Sequence, residues 1–138
     1  MGKPAWLLLL LIVPLLAQAQ EHGSPYAGRQ EGEIKALSAD KVQAYLEGRG
    51  IELALAAELN HYPGPLHALE LAGPLKLTAA QRTQTETVRA AILGEAKKLG
   101  RLIVEKEEEL DGLFAGGAID EGGLRTLVRE IARLQGEL

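Results

Sequence analysis

The apolar positions of this chain fall into several patterns that change along its length. From residue 5 to residue 17 they form one run, with Pro14 inside it. Between residues 38 and 75 they come in short bursts cut by Gly48-Arg49-Gly50, Pro63-Gly64-Pro65 and Gly73-Pro74. From Thr78 they recur in steps of three, four and seven through Val88, Ile92, Leu99, Ile103, Leu110 and Leu113. That spacing puts one stripe on one face of an α-helix. No proline or double glycine interrupts the pattern before Gly116-Gly117, so it predicts a helix of about ten turns at 3.6 residues each. A last helix is expected after Asp120, where Leu124, Leu127, Ile131, Leu134 and Leu138 keep a strict three-four rhythm, the mark of a helical seam.

The short bursts predict short helices. Ser38 can accept a hydrogen bond from a free N–H of the next turn, and Asp40 suits the positive helix end. Val42, Tyr45 and Leu46 supply that helix's stripe and Gly48 its stop. Residues 51–59 predict a second short helix, ended by the proline-rich corner, and Pro65 can open a third that runs to Leu71. Two long helices joined by a glycine turn must run antiparallel. The expected architecture is therefore an all-α long helical hairpin with short N-terminal helices packed at one end. The stripes through Val88, Ile92, Leu99 and Ile103 and through Leu124, Leu127 and Ile131 are wider than one helix pair can cover. They are expected to form a dimer interface or a client-binding surface. The seam runs to Leu138 without a capping signal, as if the chain stopped inside a helical pattern.

The first apolar run changes the picture of where the chain works. Lys3 precedes it and Ala17-Gln18-Ala19 follows it, the parts of a signal peptide cleaved after Ala19. A membrane-spanning helix needs roughly 20 apolar residues, and this run is shorter and holds Pro14. The expected divisions are a signal peptide over residues 1–19, a flexible polar leader over residues 20–32, and one helical domain over residues 33–138. Export to the periplasm is the expected destination. The chain has no cysteine for disulfides or lipid attachment.

Candidate chemistry is sparse. The chain carries a net charge of −4 and no block of Lys or Arg, which argues against nucleic acid as a partner. Ser24 lies in the leader, Ser38 sits at a cap, and no nucleophile and base stand together, so no enzyme is expected. The run Glu105, Lys106, Glu107, Glu108, Glu109 reads as a solvated face. His61 and His67, with Glu70 three residues beyond, flank the proline corner. Imidazole with carboxylate would suit a divalent zinc, nickel, cobalt or copper ion, and no other cofactor is expected. His22 lies in the leader.

The segment Leu77-Thr78-Ala79-Ala80-Gln81 matches the LTxxQ motif. With a signal peptide before it, the Asn60-His61-Tyr62-Pro63-Gly64-Pro65-Leu66-His67 segment upstream and a long charged amphipathic helix after it, the chain resembles the Spy/CpxP family of periplasmic proteins. That family also takes in heavy-metal sensors of the CnrX type, and the likeness spans roughly residues 33–138. The resemblance implies an ATP-independent chaperone in which two hairpins pair into a cradle for unfolded periplasmic clients. Its alternative implication is a heavy-metal sensor that regulates a membrane-bound signalling partner. Members commonly carry a second LTxxQ-like motif near the C-terminus, and this chain has none. Read from the residues alone, Leu77, Thr78 and Gln81 form a device that starts a helix.

Overall fold

The computed structural model describes residues 26, 28–50 and 53–138. The signal peptide and most of the leader lie outside the described residues. Five helices follow in order: α1 Ala39–Glu47, α2 Leu55–Leu59, α3 Pro65–Glu70, α4 Ala79–Ala115 and α5 Glu121–Glu137. There is no strand among the described residues. The long helix α4 carries the architecture, and α1, α3 and α5 all pack on it. Among the described residues, no helix is long and apolar enough to cross a membrane.

Each main helix starts where its sequence provides a cap. Ser38 Oγ accepts the Lys41 N–H at 3.3 Å at the head of α1. Asp120 Oδ1 accepts the Gly123 N–H at 2.8 Å at the head of α5. At α4 the cap is reciprocal: Gln81 N–H donates to Thr78 Oγ1 at 3.2 Å, and Thr78 N–H donates to Gln81 Oε1 at 2.9 Å. Two backbone donors that the helix itself cannot satisfy are thereby paired. α1 ends in a left-handed turn at Gly48, with Gly48 N–H bonded to the Tyr45 carbonyl and Arg49 N–H to the Ala44 carbonyl. Glycine suits this turn twice over, because it tolerates the positive φ and because a Cβ there would meet Lys97 and Leu93 of α4.

The core lies where α1, α4 and α5 meet. Ile103 is fully buried and Leu134 nearly so, with Tyr45, Val104, Ile34 and Leu37 around them and Val42, Leu99 and Leu138 packed against the cluster. α5 faces α4 with Leu127, Ile131 and Leu134, its three-four seam. α1 crosses α4 at Gly100, so closely that a Cβ on that glycine would sit 2.1 Å from the Tyr45 carbonyl oxygen. This crossing is near the middle of α4, not at one end as the sequence suggested, because only a residue without a side chain allows two backbones so near.

Two further expectations change. Ile103, Leu127 and Ile131, assigned to an external surface, are buried inside the single chain, and Leu99 and Leu124 are half-buried. For Ile103 the segment before α1 contributes, since Ile34 and Leu37 join the same cluster, whereas Leu127 and Ile131 are buried on α5, which packs on α4. The segment before α1 is pinned by Lys35, whose Nζ lies 2.8 Å from Asp111 Oδ2 on α4. The helix expected over residues 51–59 is shorter, since Leu53 and Ala54 form a turn and α2 begins only at Leu55, with no side-chain cap to extend it.

Candidate functional site

One side of α4 remains open. Short α2 and α3 stand beside it with no buried residue of their own, and between them, the end of α1 and α4 lies a cleft of about 720 Å³. Its apolar walls come from Ala54 and Leu55 of the α2 region, Pro65 and Leu66 of α3, and Ile92 and Leu93 of α4. The Gly48-Arg49-Gly50 turn lines it as well. Proline as the first residue of α3 costs no helical hydrogen bond, and it sets the corner that turns the chain back toward α4. This volume falls within the range of ordinary ligand pockets, roughly 300–1,000 Å³.

Large apolar side chains are exposed both in the cleft, at Ile92, and elsewhere on the described residues. Leu59, Tyr62, Leu71 and Leu75 are each more than half exposed, as is Ile92 at 54%, and Val88 is 44% exposed. Burying a side chain of this size gains about 1.5–3 kcal/mol, so leaving this many in water is costly unless something covers them. Of the seven stripe residues expected at an outer surface, Val88 and Ile92 are the exposed ones.

The charged groups at the cleft are mostly engaged. Arg49 Nε lies 2.7 Å from Glu47 Oε2. His67 stands between two carboxylates, with Nδ1 3.1 Å from Glu70 Oε2 and Nε2 3.5 Å from Glu58 Oε1. Glu58 belongs to α2 and Glu70 to α3, so this imidazole ties the two short helices together. The two ring nitrogens lie on opposite edges of the ring, and the carboxylates they meet do not converge on one point. His61 takes no part in these contacts; it sits just beyond α2 with a positive φ of 70°. Among the described residues, no three His, Cys, Asp or Glu side chains gather as a set that could hold a metal ion. The donors expected at the corner therefore do not fit a metal as they stand, since a protein-held ion such as zinc takes three or four ligands converging within about 2.0–2.3 Å.

The LTxxQ residues lie away from the cleft. Thr78 and Gln81 are exposed and occupied with each other at the head of α4, and Leu77 is half-buried beside them. Two perturbed groups mark the α1–α4 contact. Burial raises the Glu107 carboxyl above its ordinary pKa, against a smaller lowering by Lys41. Burial likewise raises Tyr45, while a hydrogen bond with Gln135 works in the opposite direction and Glu107 adds to the rise. Both groups belong to the helix packing and neither lines the cleft.

Glu58, Arg89, Leu55 and Leu66 were not singled out from the sequence, although they line the cleft. Arg89 carried a usable signal, since it stands one turn before Ile92 at the edge of an exposed stripe. The others depend on the path of the chain through its two corners, which no periodicity reveals. Comparison of the chain with models of known protein families, with curated proteins and with solved structures finds no match in any of the three.

Proposed function

We propose that this chain is an exported, non-enzymatic stress protein of Spy/CpxP type that binds apolar segments of unfolded periplasmic proteins without nucleotide. The observation that carries this reading is the open apolar cleft beside α4, on a molecule that also leaves Leu59, Tyr62, Leu71, Leu75 and Val88 exposed. Such a surface offers shape and apolar contact without a fixed polar constellation, which suits many clients and no single substrate. In this reading α4 and α5 form an antiparallel hairpin, and two copies pair to make a cradle. Light scattering of the mature protein tests the pairing, with a dimer mass expected at tens of micromolar. Suppression of the aggregation of reduced lysozyme, with no nucleotide added, tests the activity.

The heavy-metal sensor is the weaker reading, because it requires His61 to swing in beside His67 and displace one of its carboxylates. Calorimetric titration with zinc, nickel, cobalt and copper separates the two. No saturable binding is expected of the chaperone. A saturating isotherm lost in the H61A/H67A variant would favour the sensor.

A further inference from the structure

The cleft is apolar but not electrically neutral at every point. Of the charged side chains that line it, Glu47 and Arg49 are paired with each other, and Glu58 faces His67. Arg89 has no ion pair or hydrogen bond among the described residues. Glu86, three residues earlier on α4 and within reach of an ion pair, does not make one. A guanidinium therefore stands free one turn before Ile92 and Leu93, the residues that form the apolar wall, on a chain whose net charge is −4. A cation beside an apolar wall matches a ligand built the same way, with a carboxylate next to its apolar stretch.

We propose that Arg89 selects, among the apolar segments the cleft accepts, those that carry an acidic residue beside the apolar stretch. This rests on the client-binding reading above. The bound segment lays its apolar side chains against Leu66 and Ile92 and its carboxylate against the Arg89 guanidinium, which fixes its direction in the cleft. Arginine is suited to the role because its planar fork meets a carboxylate with two parallel N–H donors.

Three fluorescent peptides test this, each with the core Leu-Val-Leu-Ala-Leu followed by Glu, Gln or Lys. Anisotropy titrations at low salt should show the Glu peptide binding about threefold to fivefold tighter than the Gln peptide, the range of an exposed ion pair. The Lys peptide should be the weakest. Added salt should shrink the preference, because exposed charges are screened. R89Q should abolish the difference between the Glu and Gln peptides. R82Q, on the same helix but outside the cleft, should preserve it. Equal binding of the three peptides, or a preference that survives in R89Q, overturns the role of Arg89 and leaves the client-binding reading standing. Failure of all three peptides to bind removes the client-binding reading and the selectivity with it.

Discussion

Gly100→Ala puts the α1–α4 crossing to a strict test. The added methyl would lie 2.1 Å from the Tyr45 carbonyl oxygen, 2.7 Å from the Tyr45 carbonyl carbon and 3.1 Å from its Cα. These are backbone atoms, so no side-chain rotation relieves the clash, and α1 must retreat by more than an ångström. A gap of 0.5–1 Å already forfeits a quarter to a half of the dispersion attraction between facing atoms. The retreat also loosens Tyr45 from the cluster around Ile103 and Leu134. Overpacking of this kind costs about 1–3 kcal/mol, and backbone contact puts it near the upper end. Against that stands a gain of about 1 kcal/mol from replacing glycine by alanine inside a helix. The net expectation is a loss of about 2 kcal/mol. Urea unfolding followed by circular dichroism should then show a midpoint lower by about 1 M, for a slope of 1–3 kcal/mol per molar. Gly94→Ala on the same helix is the control, because a Cβ there meets nothing within 4 Å. It should stabilise by about 0.5–1 kcal/mol. If G100A is as stable as G94A, α1 does not cross α4 at this point and the described core is wrong.

Other consequences can be checked in the same way. Thr78→Ala removes the reciprocal cap of α4 and should cost about 1 kcal/mol in the same unfolding assay, with a rise in exchange of the first-turn amides. Glu107 is raised by burial, so its ionisation is harder in the folded than in the unfolded chain, and stability falls as pH climbs from the unfolded value through the raised folded one. E107Q should therefore be more stable than wild type at neutral pH, with the advantage gone below the ordinary carboxylate range. Asp111 is lowered by its hydrogen bond with Lys35, so the contribution of that pair is present above the ordinary carboxylate range and lost as pH falls through the lowered value. D111N should thus be less stable than wild type at neutral pH and converge with it in acid, as followed by thermal unfolding across a pH series. Mass spectrometry of the exported protein should give a chain beginning at Gln20, and an intact N-terminus on a membrane-bound product would contradict export with cleavage.

The long elements were legible in the sequence because each carries its own boundary chemistry. Thr78 with Gln81, Asp120, Ser38 and Gly48 are local signals, and each forms the cap that its position implies. What the sequence hid was set by contacts distant along the chain. Ile34 and Leu37 look like isolated apolar residues in a polar stretch, yet they finish the core, held there by Lys35 on Asp111 across 76 positions. Their arrival is part of why Ile103 is buried inside one chain and not left for a partner. Gly100 is equally silent in the sequence, since a glycine within a helical pattern reads as a weak point until the crossing helix is seen. At the candidate site, the pairing of His67 with Glu70 follows from a spacing of three along α3, whereas Glu58 reaches His67 only through the turn at Pro63-Gly64. The cleft has no motif because it is lined by four separate segments, three of which contribute only one or two ordinary leucines or isoleucines each.

The central claim is that the cleft beside α4 holds apolar segments of non-native chains. Light scattering of reduced lysozyme as it aggregates, in the presence of equimolar protein, tests it when wild type is set beside I92D, L66D and V128D. All three positions are exposed, so each variant should keep the wild-type helical signal. Ile92 and Leu66 line the cleft, whereas Val128 lies on α5 outside it. Wild type and V128D are expected to suppress aggregation, and I92D and L66D are not. Suppression by all four proteins alike, or by none, would contradict it.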